Sequence, residues 1–466
     1  MNYILFSGVL IYLTLMVIIG LWLTKKGVRT LEDFMLAGGR LGALVAGGTM
    51  IATWFGSGTV VGGPASLGYT YGLGPAMLFM LMPPIGIAIL YLLTEKIRSM
   101  YKYTIPEIME FKLGMPGRVI AAIIIILAHV GIVSYQFIGL GYILNVTTGI
   151  STELGTITSA IVITVLAVSG GLVSVAYTDA ITAFLMLLSL IVGVSIAYSY
   201  VGGFAGAIEK VPPTHLTLTG GMSVPALVST CLPLLLLLLG EMNMWQRVAA
   251  ARGSLTAKKA LMMWLIAALI IGPLVSLIAF FARASFPKIP AGMSVIKWSI
   301  MMPEVLGAVF LAGIAGFIIT TGNSFLLTPS MCAAIDIYKR LVRPTASNKE
   351  IFIVTRVFIV AFAIFAYAMG MYFPSVLAIQ MYSYTMIGAA ITIVLFCLAL
   401  IPERVTKVGG NAGLVTGAAL TIIWDAVLSR PYGINAALIA APLALIVTIV
   451  GSMLTRSNLR HKSEYV

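Results

Sequence analysis

The sequence predicts an all-α polytopic membrane protein, and three observations carry that expectation. Hydrophobic residues make up 60% of the 466 positions and charged residues only 9%. The mean hydropathy is +1.07. Apolar runs recur at about the 20-residue length that a hydrocarbon core roughly 30 Å thick requires. In lipid every backbone N–H and C=O must be satisfied within the protein. Ten-residue segments of alternating hydrophobicity, the mark of a barrel, are absent, so the spans are read as helices.

Taken in order, the runs predict thirteen spans. The first, 3–23, lacks the basic leading region and small-residue cleavage site of a secretory signal and is read as a true span. The second, 41–68, contains ATWFGSGTVVGG, whose Gly56, Gly58, Gly62 and Gly63 each weaken a helix interior by roughly 1 kcal/mol relative to Ala. Spans at 75–94, 119–147, 155–173 and 180–202 follow, the last beginning in SVAYTDAITAF with Asp179. The run 225–246 ends in LPLLLLLLGEMNMWQR, and 260–282 is uninterrupted. The run 305–335 carries GFIITTGNSFLLTPSM, and 351–372, 376–401, 411–428 and 434–455 complete the set. The expected organisation is a leader helix and first cytoplasmic loop (1–40), two inverted repeats of five helices (41–203 and 204–402), and two C-terminal helices with a tail (403–466).

Thirteen spans put the termini on opposite sides, and the loops on one side carry 23 of the 28 Lys and Arg. By the positive-inside rule the N-terminus is expected outside and the C-terminus in the cytoplasm of a cell (inner) membrane, embedded in lipid. The net charge of +13 is spread over short loops rather than gathered on a domain, so no nucleic-acid partner is expected. Cys231, Cys332 and Cys397 fall inside spans and read as small hydrophobes. No HExxH, P-loop or paired metal-ligand motif appears, and His129, His215 and His461 lie far apart, which argues against an enzyme.

Polar residues inside spans are expensive and therefore informative. Asp425, five residues before Arg430, is read as locally paired; Asp179 is either a helix-dipole partner or part of an ion path. Glu241 sits beside Gly240 after a long apolar run, a candidate helix break whose counterpart is ATWFGSGT. Numbered from residue 41, these are the first and sixth spans, the matching positions of two five-helix repeats. Unwound helices at such positions free carbonyls for a cation and expose helix N-termini to a solute. In the eighth core span Thr320, Thr321, Asn323 and Ser324 add hard oxygen ligands suited to an alkali cation.

In series, MIATWFGSGTVVGGPASLGYTYGLG, GGLVSVAYTDAITAF, WQR, ITTGNSF and DIYKR resemble the sodium:solute symporter family along nearly the whole chain. That resemblance implies a leucine-transporter-type fold and sodium as the co-transported ion. It places carbonyls of Ala52, Phe55 and Phe317 and hydroxyls of Thr320 and Thr321 at a sodium site. A second sodium, held in some members, maps to Asp179, Thr320, Asn323 and Ser324, with Asn323 replacing the usual Ser. Trp54 matches choline carriers of the family, whereas an acid at Glu241 matches its urea and polyamine carriers.

The expected function is sodium-coupled import of a small organic solute, with an amine, quaternary ammonium or urea-like group facing Trp54 and Glu241. Tyr135, Gln136, Trp245 and Gln380 are further candidates for lining its cavity. The alternatives are a symporter for an amino acid or organic carboxylate, and an uncoupled channel or sensor on the same fold.

Overall fold

The structure is a computed structural model that describes residues 2–27, 37–100, 104–169, 172–373 and 375–463. Arg29 and Lys102, counted among the loop charges, and Gly170 and Gly171 of GGLVSVAYTDAITAF lie outside the described residues. The principal helices are α1 (Tyr3–Gly27), α2 (Ala43–Trp54), α3 (Gly58–Thr70), α4 (Leu73–Leu92), α5 (Ile105–Thr148), α6 (Thr152–Ser169) and α7 (Leu172–Val201). They continue as α8 (Val224–Gly240), α9 (Met242–Ala250), α10 (Ser254–Ser285), α11 (Glu304–Val342), α12 (Asn348–Tyr372), α13 (Val376–Leu400), α14 (Lys407–Val427) and α15 (Ala437–Ser463).

Every apolar run read from the sequence falls on one of these helices. Among the described residues, ten spans are long and apolar enough to cross a membrane, with α8 and α9 together making one of them, or eleven with α2 and α3 counted as one span bent by 50°. The remaining two runs form the shorter apolar helices Tyr3–Ile19 and Thr152–Val168. Helix α5 is longer than the expected 119–147. Its first turn is fixed by a capping box in which the Thr104 hydroxyl accepts from Glu107 N–H and the Glu107 carboxylate accepts from Thr104 N–H. A backbone kink at Gly114 (φ 76°), two residues before Pro116, then lets the chain turn into the bilayer.

Helix α7 packs on α2 and α11, α10 packs on α2 and α3, and α5 packs on α6, α11 and α13. The α2–α7 contact is a backbone contact: a Cβ on Gly48 would sit 2.7 Å from Ala180 Cα, so only glycine allows it. The broken pairs α2–α3 and α8–α9 are thereby enclosed by the other helices. At one end they are tied together where Leu41 N–H donates to Ala250 O (3.1 Å) and Arg252 N–H to Leu41 O (3.0 Å).

Two arginines counted as loop charges are core residues. Arg118 is 6% exposed and its Nη2 lies 2.7 Å from the buried carboxylate of Asp336. Arg247 is fully buried. A charge placed by its acidic partner in the interior says nothing about orientation, so these two leave the loop count while the bias persists. Asp425 is paired as expected, accepting from Asn435 Nδ2 (2.7 Å) and Ala436 N–H (2.9 Å) beside Arg430.

Candidate functional site

The two breaks share one backbone shape. Helix α2 stops because Phe55 leaves the helical region at φ −87°, ψ 101°, and α8 stops because Glu241 does so at φ −74°, ψ 113°. At the first break glycine is required by space: a Cβ on Gly56 would lie 2.5 Å from Thr321 Oγ1 and 2.7 Å from its Cβ.

Unwinding leaves carbonyls of α2 without helical partners, and α11 supplies them. Thr320 Oγ1 donates to Ala52 O at 2.8 Å. Thr321 Oγ1 lies 3.3 Å from Ala52 O, 3.1 Å from Thr53 O and 2.9 Å from Phe317 O. The predicted oxygens of Ala52, Phe317, Thr320 and Thr321 therefore converge, joined by Thr53 O, which sequence reasoning missed. Phe55 stands at the break itself. These are hard, uncharged oxygens on two helices, a donor set suited to an alkali cation carried as cargo.

The groups proposed for a second ion surround a side chain instead. Asp179 Oδ2 accepts from Thr49 Oγ1 (2.7 Å) and Thr53 Oγ1 (3.2 Å) and lies 3.8 Å from Arg247 Nη2. The same Nη2 donates to Thr53 Oγ1 (2.6 Å) and Ser324 Oγ (2.9 Å), while Nε donates to Thr49 Oγ1 (3.0 Å). A guanidinium thus sits beside Asp179 and Ser324. Asp179 lies two turns in from the first described residue of α7. Asn323 has a buried Oδ1 without a hydrogen-bond partner.

At the second break Glu241 is fully buried. Its Oε1 accepts from Asn243 N–H and Asn243 Nδ2, both at 3.0 Å, and lies 2.9 Å from His129 Nε2 on α5. Its Oε2 is buried with no partner. Trp245 Nε1 donates to Leu239 O at 2.8 Å, satisfying a carbonyl that the break releases.

Between the breaks lies a small cavity with about 10 Å³ of accessible space, roughly one water, lined by residues that include Trp54, Tyr135, Gln136, Thr321, Phe325 and Tyr384. Trp54 packs edge-on against Trp264 at 5.4 Å. Gln136 Oε1 accepts from Ser57 N–H (2.9 Å), and its Nε2 is buried without a partner. Glu241 stands behind this wall, within electrostatic reach of the Tyr135 and Tyr384 phenols.

Gln380 stands next to this wall, hydrogen-bonded to Tyr384, and Trp245 serves the second break. Gln380 splints the wide turn after the first break: Nε2 donates to Gly58 O (2.9 Å) and to Tyr384 Oη (2.9 Å), and Oε1 accepts from Gly63 N–H (2.7 Å). Sequence reasoning missed His129, Arg247 and Asn243. The available signal was a lone histidine in the apolar run IIIILAHVGIV and an arginine six residues after the buried acid.

The model of the family described as "Sodium:solute symporter family" matches residues 34–417. The osmoregulated proline transporter of Bacillus subtilis (strain 168) is 24% identical, covering 96% of this chain and 94% of its own. The human high affinity choline transporter is 25% identical over 89% of this chain and 76% of its own, and a sodium/glucose cotransporter of Vibrio parahaemolyticus is 26% identical over 91% and 85%. Among solved structures, a Na+-coupled sialic acid symporter in a substrate-bound outward-open state superposes with a TM-score of 0.80 at 18% identity, covering 97% of this chain and 98% of that one.

Proposed function

This chain belongs to the sodium:solute symporter family, and from that premise we propose that the solute it imports with sodium bears an N–H-carrying amine or ammonium group. The observation that carries this reading is Glu241 Oε2, a buried carboxylate oxygen with no hydrogen-bond partner at the second helix break. Leaving such an acceptor unmade costs about 1–3 kcal/mol or more for a charged group, and an N–H donor recovers it. Trp54, on the wall of the cavity in front of Glu241, adds a ring for the same cation, worth roughly 0.5–2 kcal/mol. A quaternary ammonium uses the ring but has no hydrogen to give Oε2. Amino acids fit the site as well, because the orphan amide Nε2 of Gln136 faces the cavity as a donor for a carboxylate.

Sodium binds at the first break, among Ala52, Thr53, Phe55, Phe317, Thr320 and Thr321, and drives uptake by alternating access between two repeats, 41–203 and 204–402. Arg247 occupies the neighbourhood of the second-ion groups, which supports a single sodium per cycle. The positive-inside bias supports an external N-terminus and a cytoplasmic C-terminus in the cell's inner membrane.

The test is a thermal-shift series on purified protein with L-proline, primary amines, choline, urea, glucose and amine-free carboxylates, each in sodium and in potassium. A true ligand stabilises by about 2.7 kcal/mol at a hundredfold excess over Kd. The expected result is stabilisation by N–H amines, in sodium only, weakened by Glu241→Gln. Stabilisation by glucose or amine-free carboxylates alone, or an amine response unchanged in Glu241→Gln, contradicts the solute assignment.

A further inference from the structure

His129 and Glu241 form a buried pair whose hydrogen bonds count protons. His129 Nδ1 lies 2.8 Å from Ile125 O, and since a carbonyl only accepts, Nδ1 carries a hydrogen. The other ring nitrogen, Nε2, faces Glu241 Oε1 at 2.9 Å. Without a further proton a bare Nε2 lone pair would confront a carboxylate oxygen in a fully buried site, and the pair would bear a full negative charge. The observed geometry therefore belongs to a pair holding one extra proton, on Nε2 as imidazolium beside carboxylate or on Oε1 as carboxylic acid beside imidazole.

The surroundings isolate that proton and connect it to the rest of the site. From α5 the facing titratable group is Tyr135 and from α13 it is Tyr384, two phenols that share the cavity wall. From α11 the neighbours are Phe325, stacked on the imidazole at 5.1 Å, and Thr328, which donates to Asn243 Oδ1 at 2.7 Å. From α9 the nearest charge is Arg247, whose Nη1 reaches Asn243 O at 3.1 Å; behind it on α7 stands Asp179. A continuous path thus runs from Glu241 through Asn243, Arg247 and Thr53, whose carbonyl accepts from Thr321, to the sodium oxygens.

We propose that the His129–Glu241 pair is a proton-binding site that loads one proton per transport cycle, so that solute enters with a proton as well as with sodium. The pair bridges α5 and the α8–α9 break, which fall in the two proposed repeats. Movement of one repeat against the other separates the partners, and neither alone retains the shared hydrogen bond. The proton then leaves on the side of the cavity that Tyr135 and Tyr384 line. This inference rests on the proposed reading in placing the solute path at the second break.

Two measurements test it. In proteoliposomes with clamped membrane potential and a fixed sodium gradient, one inward proton per cycle makes an inside-alkaline gradient of one pH unit raise steady-state accumulation about tenfold. Radiolabelled L-proline and a primary amine serve as probes, and His129→Gln is expected to abolish the pH response. Accumulation of either probe that ignores the pH gradient overturns the proposal and leaves the sodium reading intact. If neither probe accumulates, nitrogen NMR of the purified protein decides the proton site. The chain has three histidines, so loss of one signal in His129→Gln identifies the ring. A proton shared between Nε2 and Glu241, absent in Glu241→Gln, is expected; a bare Nε2 at neutral pH overturns the proposal.

Discussion

The two helix breaks are nearly the same in backbone and opposite in chemistry. Phe55 and Glu241 leave their helices at dihedrals that differ by less than the ordinary scatter within an element. Yet the first break is bounded by glycines and apolar side chains and meets two threonine hydroxyls, so its polar surface is backbone carbonyl. The second carries a carboxylate, a histidine and an asparagine, so its polar surface is side chain. A repeated fold supplies two unwound segments; what each binds is decided by the residues set at the unwinding. Carbonyls and hydroxyls offer partial charge to a small hard cation, whereas a carboxylate with one free oxygen offers full charge and a direction to an N–H group.

The largest expected effect comes from the arginine that links the breaks. Arg247→Met leaves Asp179 buried without its cation, and breaking a buried pair typically costs 3–5 kcal/mol. Thermal unfolding in detergent should show a large loss of stability, and sodium-dependent uptake should vanish. Asp179→Asn combined with Arg247→Met should restore much of the stability, because the uncompensated charge is gone. A double variant no more stable than the single one would show that Arg247 acts through packing alone.

Next in size is Gly56→Ala. The added methyl falls on Thr321 Oγ1, which must move out of the oxygen cluster, so the sodium concentration for half-maximal stabilisation should rise by tenfold or more. Gly253→Ala, which meets nothing within 4 Å, is the matched control and should leave it unchanged.

How much of this was legible beforehand follows from the same comparison. Both breaks announced themselves locally, by GSG in an apolar run and by a Gly-Glu pair, and the threonines stood at helical spacing in one segment. His129 and Arg247 did not, because their meaning is a partner more than 60 residues away in sequence: Glu241 for the one, Asp179 for the other. The hydrogen bonds of Gln380 and Trp245 were hidden for a related reason. A polar side chain in a span signals that something needs a hydrogen bond, and here that something is the backbone freed by each break. The start of α5 was missed because its charged first turns, with Glu107 and Glu110, carry no hydropathy signal.

Smaller effects sharpen the division. Thr320→Ala and Thr321→Ala each remove one oxygen and should raise the sodium requirement several-fold, about 1 kcal/mol apiece, while Thr321→Ser should be tolerated. Radiotracer uptake against sodium concentration checks this; sodium dependence unchanged in both alanine variants would remove the ion from the first break. Smallest in its effect on the ion is Trp245→Phe, which leaves Leu239 O without its donor and should lower thermal stability by about 1–3 kcal/mol with no change in sodium dependence.

The most direct test of the division is sodium binding to purified wild type, Thr321→Ala and Glu241→Gln, followed by thermal stabilisation across a sodium titration without solute. Sodium at the first break predicts a response weakened at least several-fold in Thr321→Ala and retained in Glu241→Gln. A response that survives in Thr321→Ala and disappears in Glu241→Gln would place the ion at the carboxylate and contradict the assignment of the two breaks.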